Sequence, residues 1–269
     1  MNKKLKNWFL NSGSSLDSDA QAFITAAAIT DATQKTALNT LVIALKAAGL
    51  WTAINKAIWP ILGGSASTHK WNLKDPRDLD AAYRLNIQGG WTHSATGMLP
   101  NGTTGYADTF FSPSVEFSSN LGALGFYSRT PGVSAGYDFS CTPVGESPIV
   151  CIIPRFTGDL FYPLVGSGAY VPSIANADGR GLFVATREVG FNQNVGYKNG
   201  SNVGSAVETT SFPIPTLYLG ASNKGGSAAH FGSKECAFAF VTTNDLTAQN
   251  NAALYTAVQA YQTTLGRQV

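Results

Sequence analysis

Short apolar runs separated by turn-forming residues constrain this chain more than any other feature. From Gly64 onward, β-branched and aromatic residues recur between clusters of Gly, Pro, Asn and Ser. The runs are LGALGFYSRT, SPIVCIIPRF, GRGLFVATRE, NVGYKNG, PTLYLGAS and ECAFAFVTT. Asn199-Gly200 supplies the two positive-φ residues that a tight hairpin turn requires. Repeated short strands without alternating helices predict a sandwich or barrel and argue against a doubly wound sheet.

The first 62 residues follow a helical pattern instead. Ser18 or Asp19 can cap the segment AQAFITAAAI, and Asp31 precedes ATQKTALNTLVIALKAAG. Gly49 is placed to end the second helix. The segment WTAINKAIWPIL predicts a third helix, which stops near Pro60. Because such short helices are marginal alone, we expect them to pack on each other and on something larger.

A final helix is predicted from Thr247 to Leu265, and Gly266 follows it. Its apolar face consists of Leu254, Val258 and Tyr261. The pattern therefore divides the chain into two parts. Residues 1–62 form a tail and a helical module that we expect to serve attachment or oligomerisation. Residues 63–269 form a β-sandwich with a C-terminal helix.

Charge and composition exclude several classes of partner. The net charge is +2 and only 13% of residues are charged, so no nucleic-acid surface is indicated. No run approaches the ~18 apolar residues of a membrane span. The three cysteines match no zinc spacing and are expected to be buried thiols of a protein made in a reducing cytoplasm. The basic, aromatic start from Lys3 to Trp8 leaves a docking tail and a solvated terminus both open.

The strand order resembles that of a known sandwich family. GLFVATRE, VGYKNGSNVGS, PTLYLGAS and FGSKECAFAFVTTNDLTAQNNAALYTAVQAY follow one another from Phe183 to Tyr261. This succession is similar to the end of a concanavalin A-like (laminin-G-like) jelly roll. The upstream phrase PNGTTGYADTFFSPSVEF, from Pro100 to Phe117, is similar to that family's first strand. The resemblance implies a mainly β, concanavalin A-like jelly-roll sandwich.

A second resemblance is to virion proteins of tailed phages, especially those of Bacteroidetes phages. The phrases that carry it are TDATQKTALNTLVIALKAAGLW, HKWNLKDPRDLDAAYRLNIQGGWTHS and YTAVQAYQTTLGRQV. It implies a capsid-, fibre- or tail-associated structural protein, located in the virion and made in the host cytoplasm. It also implies other virion proteins as partners and a homo-oligomer. Because fold alone does not give function, this inference is one of analogy.

The acidic residues do not form the cluster that a concanavalin-like glucanase uses. Retaining hydrolysis needs two carboxyl groups roughly 5 Å apart, which alternate positions of one strand would supply. Glu188 stands alone, and Asp159 and Asp178 lie in loop-like contexts. We therefore predict that the protein is not an enzyme and has no catalytic residues. A glycan hydrolase is the weakest of the alternatives.

The sequence offers few residues that could bind a metal ion or act through histidine. His69, His93 and His230 show no metal-ligand spacing, so a structural role is expected. No cofactor is expected except calcium, which members of the concanavalin-like family often hold near the sheet rim. Asn176 and Asp178 would supply its oxygen ligands. The same two residues also form an Asx-type turn that needs no ion, and both interpretations stay open.

Glycan binding is the rival function. Exposed aromatic rings would stack on sugar faces, and amide side chains would form hydrogen bonds with the sugar hydroxyl groups. The protein would then be a carbohydrate-binding receptor-recognition protein of the virion, with a host glycan as partner. The candidate side chains are Tyr162, Tyr170, Phe191, Asn192, Asn194, Tyr197 and Asn199. Many such aromatic residues belong to protein cores, so the sequence does not decide which of them are exposed.

Overall fold

The computed structural model describes residues 16–269 except 118–119, 135, 189, 191 and 209–210. The helices are α1 (Ser18–Ala26), α2 (Ala32–Ala47), α3 (Leu50–Ala53), α4 (Ala66–His69), α5 (Pro113–Glu116) and α6 (Ala248–Thr264), with a 3-10 turn at Asp80–Ala82. The strands are β1 (Ala57–Trp59), β2 (Asn86–Gln88), β3 (Trp91–Ser94), β4 (Gly97–Pro100), β5 (Tyr106–Asp108), β6 (Gly122–Ser128), β7 (Phe139–Thr142), β8 (Ile149–Phe156), β9 (Leu160–Ser167), β10 (Ile174–Ala175), β11 (Gly181–Glu188), β12 (Gln193–Lys198), β13 (Ser201–Val207), β14 (Tyr218–Leu219), β15 (Ser222–Lys224), β16 (Ser227–Ala229) and β17 (Cys236–Thr242). They form a two-sheet sandwich with helices near both ends of the chain, so the predicted fold class is confirmed.

Sheet A has eight strands among the described residues. Its order is β13-β12-β11-β6-β17-β4-β3, and β1 also pairs with β17. The central strands β6 and β17 are antiparallel, with Phe240 opposite Gly125. A Cβ atom on Gly125 would lie 1.8 Å from the Phe240 ring, so this crossing requires glycine.

Sheet B has nine strands in the described ranges. Its order is β10-β9-β8-β7-β14-β5-β2, with the hairpin β15–β16 attached at β7. One edge of β7 serves two partners, because Ser140 lies opposite Tyr218 of the antiparallel β14 and opposite Ser222 of the parallel β15. The sheet therefore divides at β7 into two branches that share one outer face.

The core between the two sheets is apolar and rich in aromatic rings. Trp59 of sheet A meets Phe139 of sheet B with ring centroids 6.3 Å apart, and Phe183 of sheet A meets Phe161 of sheet B at 5.0 Å. Both pairs have the edge-to-face geometry that aromatic quadrupoles favour. Burying each such side chain contributes about 1.5–3 kcal/mol, so these contacts hold the sheets together.

The outer face of sheet A is covered by helices. Side chains of α1, α2 and α6 form one buried cluster with outward side chains of β6, β11, β12 and β17. The predicted apolar face of α6 is confirmed, since Leu254, Val258 and Tyr261 are buried in this cluster. No helix in the described ranges combines the length and the apolar character that a membrane crossing requires.

Helix α2 begins and ends where the sequence predicts. The Asp31 carboxylate accepts a hydrogen bond from the backbone N–H of Gln34 at 2.8 Å, which is an N-cap contact. Gly49 follows the helix with φ of 71°, the left-handed conformation that favours glycine. Helix α1 is capped by Asp17, one residue before the predicted Ser18.

The predicted third helix is largely wrong. Only Leu50–Ala53 is helical, and Ala57–Trp59 forms β1, which pairs with residues 239–241 of β17. A strand partner almost two hundred residues away overrides the local helical pattern. Ala57 and Trp59 join the core between the sheets, so the boundary predicted after residue 62 falls inside a continuous core. Whether residues 63–269 fold without the preceding segment stays a prediction.

The hairpin around Asn199-Gly200 has the predicted form. The turn residues have φ of 50° and 78°, and β12 and β13 pair antiparallel on either side of it. A Cβ atom on Gly200 would lie 3.0 Å from the Cβ atom of Tyr255 in α6. The hairpin tip is therefore held closely against the C-terminal helix.

A buried arginine ties the segment after α6 to β17, to the residues that follow β1 and to the β3–β4 turn. Arg267 is 1% exposed, and its guanidinium donates to the backbone oxygens of Pro60, Ile61, Ala95 and Ala237 at 2.8–3.3 Å. Its Nε donates to Gln262 Oε1 at 2.5 Å. Burial lowers the pKa of Arg267, yet arginine keeps its proton in proteins, so the charge is stabilised by carbonyl dipoles.

We expect Arg267→Ala to lower the free energy of unfolding by about 3 kcal/mol or more, because buried carbonyl oxygens lose their donor. Urea denaturation followed by circular dichroism measures the change. Arg77→Ala is the matched control, since Arg77 is exposed and its side chain pairs with the nearby Asp75. Equal unfolding midpoints for the two variants would show that the Arg267 contacts do not stabilise the fold.

Candidate functional site

The outer face of sheet B is the sheet surface that α1, α2 and α6 leave uncovered. Phe139 and Cys141 of β7 point into the core between the sheets, so the alternating Ser140 and Thr142 point outward. A separate buried cluster lies on this outer side, formed by Tyr137, Ile149, Cys151, Ile153 and Leu164. Loops rather than long helices lie over this face, and polar side chains gather there.

Five side chains from four segments of the chain meet on this face, and we call them the acid–aromatic cluster: Tyr137, Glu146, Tyr170, Lys224 and His230. The Glu146 carboxylate accepts hydrogen bonds from Lys224 Nζ and, at 3.1 Å, from His230 Nε2. The rings of His230 and Tyr137 stack with centroids 4.9 Å apart. The Tyr170 hydroxyl accepts from Tyr137 and donates to the backbone oxygen of Glu146 at 2.9 Å.

Local turns bring these residues into place. The backbone N–H of Glu146 donates to Pro143 O at 3.0 Å and so closes the β7–β8 turn. The hairpin β15–β16 turns at Gly225-Gly226, which carries Lys224 and His230 to its two ends. Tyr170 lies in the connection between β9 and β10.

The Glu146 carboxyl of the cluster is ionised, whereas its two phenols are neutral. Hydrogen bonds from Lys224 and His230 lower the pKa of the Glu146 carboxyl, so it stays a carboxylate near neutral pH. Burial raises the pKa of Tyr137 and of Tyr170, so both phenols keep their protons. The Glu146, Lys224 and His230 side chains are 37%, 31% and 35% exposed, which leaves them accessible to a ligand.

Three residues of the cluster have left-handed backbone conformations. The φ angles are 64° at Glu146, 57° at Tyr170 and 49° at His230. A side chain in this region costs of order 1 kcal/mol, and such conformations concentrate at functional sites. Their convergence on one surface is the reason to regard this cluster as a site rather than as ordinary packing.

A pair of stacked tyrosines extends the same face. The rings of Tyr106 and Tyr218 lie 4.7 Å apart and 19° from parallel. Asp108 lies opposite Tyr218 in the sheet, and its carboxylate accepts from the backbone N–H of Phe110 at 2.8 Å. Burial, with a smaller contribution from Asp80, raises the pKa of Asp108.

The register of sheet B places the tyrosine pair beside the acid–aromatic cluster. Tyr218 lies opposite Ser140 of β7, and Lys224 lies opposite Thr142 on the same edge of that strand. Two residues along a strand correspond to roughly 7 Å. The register therefore places the two groups of side chains on the same side of β7.

The predicted glycan-binding residues are divided between the two sheets. Tyr162 and Tyr170 lie on the outer face of sheet B, where Tyr162 packs edge-on against Phe156. Four of the others belong to the β11–β13 region of sheet A, namely Asn192, Asn194, Tyr197 and Asn199. Phe191 lies outside the described residues. A glycan role for this set stays a prediction, and Tyr162 and Tyr170 are the two of its members that pack on the outer buried cluster of sheet B.

The residues on sheet A have structural contacts of their own. Tyr197 is buried beneath the helices, and Asn194 is buried with its amide oxygen accepting from Val165 N at 3.2 Å. The Asn199 amide oxygen accepts from Leu182 N at 2.9 Å. Asn192 is exposed and has φ of 47°.

Sequence reasoning missed most of the outer face. Tyr137, Glu146 and Lys224 come from three separate segments with no shared motif. The one local signal is the Gly225-Gly226 pair, which marks a hairpin turn between Lys224 and His230.

The three acidic residues singled out from the sequence lie in separate places. Glu188 accepts from the Tyr197 hydroxyl at 3.2 Å. Asp159 pairs with Arg155 at 2.8 Å, and Asp178 pairs with Arg180 at 2.9 Å. Each carboxylate therefore has a partner within its own loop or strand pair.

His69 and His93 form a direct pair. Their Nδ1 atoms are 2.9 Å apart, and His69 Nε2 accepts from the backbone N–H of Gly64 at 3.1 Å. Neutral His69 must therefore carry its proton on Nδ1 and donate it to His93. Burial lowers the pKa of His69 to about 3, which keeps it neutral. These contacts agree with a structural role.

The oxygen atoms expected to hold calcium surround a lysine. Lys198 Nζ donates to Asn176 Oδ1 at 2.6 Å and to the backbone oxygen of Asp178 at 2.7 Å. The Asp178 carboxylate pairs with Arg180. In the part of the chain that the structure describes, no group of three or more His, Cys, Asp or Glu side chains could hold a metal ion. Calcium binding here stays a prediction. A calcium ion would have to displace the Lys198 ammonium group from these oxygen atoms.

Comparison with known proteins gives a likeness of fold. No family model matches the sequence, and no curated protein matches it. Among solved structures, a Trypanosoma rangeli sialidase mutant displaying trans-sialidase activity is 13% identical with a TM-score of 0.50, over 85% of this chain and 39% of that one. A T. rangeli sialidase complex is 13% identical with a TM-score of 0.48, over 82% and 39%. A mutant of the NanB sialidase from Streptococcus pneumoniae is 15% identical with a TM-score of 0.40, over 61% and 27%.

The similarity covers only part of the length of the matched proteins. This chain spans about two fifths of the T. rangeli sialidases that it matches. At such low identity the first of these likenesses supports the fold alone, and function has to be argued from the site.

Two predictions are corrected by this comparison. The non-enzymatic virion structural role rested on analogy with phage proteins, whereas the T. rangeli protein whose fold this chain resembles is a sialidase. The prediction that the protein is not an enzyme rested on the missing cluster of carboxylates. That criterion does not hold for sialidases, whose nucleophile is a tyrosine.

Melting experiments can show whether calcium or the Lys198 ammonium neutralises the oxygen atoms of Asn176 and Asp178. We expect the melting temperature of the parent chain to be the same in EDTA and in calcium, because the Lys198 ammonium already neutralises these oxygens. In Lys198→Met the same oxygens lose their cation, so calcium should raise its melting temperature. Lys35→Met, which changes a lysine away from this loop, is the control. Stabilisation of the parent chain by calcium would show that the ion displaces the lysine.

Proposed function

We propose that this protein is a concanavalin A-like, lectin-type sandwich that binds carbohydrate through the outer face of sheet B. The observation that carries the proposal is the acid–aromatic cluster, with three left-handed residues, lying beside the Tyr106–Tyr218 pair. The likeness of the fold to sialidases is consistent with a protein that handles glycans.

The chemistry of this face suits a sugar ring. Aromatic rings offer apolar surface to the C–H faces of a sugar, and the charged groups beside them can exchange hydrogen bonds with its hydroxyl groups. The Glu146 carboxylate accepts such bonds, and the Lys224 ammonium donates them. Since Lys224 and His230 already orient Glu146, little side-chain entropy is lost when a ligand binds.

The Glu146 carboxylate and the Tyr106 ring test this proposal, since Tyr106 is the partly exposed member of the stacked pair and Tyr218 is buried. We expect Glu146→Gln and Tyr106→Ala each to weaken binding at least about tenfold, because each removes one recognition element of about 1.4 kcal/mol or more. Binding is first screened on an array of sialylated and neutral oligosaccharides, and the strongest ligand is then titrated calorimetrically.

Glu188→Gln is the matched control, since Glu188 also contacts a tyrosine but lies on sheet A. Melting temperatures establish that all variants are folded. Binding that survives both outer-face variants, or an array without any bound glycan, would refute the proposal.

Glycan hydrolysis is the second candidate function, and Asp108 is the observation that favours it. A general acid needs a carboxyl group whose pKa is raised, and burial raises the pKa of Asp108 on the same face. Burial also raises the pKa of Asp138 to about 7. Asp138, however, is only 1% exposed, so it cannot reach a substrate. Asp108 is partly exposed and lies beside the tyrosine pair.

Hydrolysis is tested with a fluorogenic sialoside. For this candidate we expect release of the fluorophore by the parent chain and a loss of about 100-fold or more in Asp108→Asn. Release should also fall as the pH rises through the raised pKa of Asp108, because the acid must be protonated. Asp245→Asn, in the connection before α6, is the control. The candidate is rejected if the parent releases nothing or if Asp108→Asn stays fully active.

A further inference from the structure

The two sheets end in strands of very different length. Sheet A ends at β13, which has seven residues, and at β3, which has four. Sheet B ends at β10 with two residues and at β2 with three. Short edge strands are a common protection against unwanted pairing. Among the described strands, β13 is the long edge that lacks this protection.

The sequence of β13 lacks the residues that commonly protect an edge strand. The strand reads SNVGSAV, with no charged residue and no proline, whereas natural edge strands commonly carry lysine or proline to block pairing. Two of its valines are exposed to solvent, Val203 by 39% and Val207 by 73%. A register shift opposite Gly196 and Tyr197 disturbs the start of the strand, but residues 204–207 keep a regular register with β12.

The strand is also held in place before any partner arrives. Its inner edge pairs with β12, and no described strand pairs with its outer edge. The turn that precedes it packs closely against α6 at Tyr255. An ordered edge loses little conformational entropy on pairing, which favours strand addition.

We propose that the outer edge of β13 pairs antiparallel with β13 of a second copy of this chain. A two-fold axis would make the contact self-complementary and would join the two A sheets into one continuous sheet. The absence of charge on SNVGSAV means that self-pairing brings no like charges together. A peptide of different sequence is disfavoured as the partner, because the strand carries no charge that could select one.

The oligomeric state of the full chain tests this inference. Sedimentation velocity over a concentration series should show reversible dimerisation, with a mass twice that of one chain. Val203→Lys with Val207→Lys should raise the dissociation constant at least about tenfold, because lysines on both edges repel each other. Val144→Lys, at a residue 73% exposed outside β13, is the matched control and should leave dimerisation unchanged. A chain that stays monomeric, or a dimer that the β13 lysines do not weaken, would overturn the inference.

Cysteine cross-linking gives an independent readout of the contact. The native residues Cys141, Cys151 and Cys236 are all buried, so a new surface thiol can be oxidised selectively. Cysteines introduced one at a time at Asn202, Val203, Ser205 and Val207 should give a disulfide-linked dimer at the position nearest the two-fold axis. Val144→Cys should give none. Failure of all four β13 positions to cross-link also counts against the proposed pairing.

Discussion

Burial of sheet A on both faces is the constraint on which the rest of the structure depends. Strands β6 and β17 are buried along their whole length, because one face meets sheet B and the other meets the helices. A sheet of this kind cannot present a ligand surface at its centre. Sheet B has no comparable helical cover among the described residues, so its outer side is where loops and polar groups can meet. The difference between the two outer faces, one covered by helices and the other by loops, follows from where the helices pack.

The sequence predicts those features that local interactions determine. The Asn199-Gly200 turn, the Asp31 cap and the apolar face of α6 each depend on residues within a few positions of one another, and each has the predicted form. The local pattern around Ala57–Trp59 predicts a helix. The strand partner that makes this segment a strand lies far away in the sequence, in β17. Long-range pairing of this kind leaves no local periodicity to recognise.

The candidate site is hidden from the sequence for a related reason. Tyr137, Glu146, Tyr170 and His230 come from loops spread over almost a hundred residues, and only the pairing of β7 with β8 and β15 brings them together. Tyr197 fits a sugar-stacking residue as well as Tyr170 does by residue type. Its burial beneath the helices depends on packing that no pattern in β12 specifies. Aromatic residues can therefore be counted from a sequence, but their assignment to core or surface requires the fold.

The buried guanidinium of Arg267 has a consequence for the order in which this protein can fold during synthesis. Its acceptors include the carbonyl of Ile61, which the ribosome makes 206 residues earlier, and the carbonyl of Ala237 in β17. Strand β1 likewise has its partner in β17. Until these late residues leave the ribosome, the nascent chain exposes an unpaired strand and an apolar helical face, which are features that promote aggregation and chaperone binding. The sandwich can therefore be completed only after residue 267 has left the ribosome, when β17 and Arg267 join β1 and the carbonyl of Ile61.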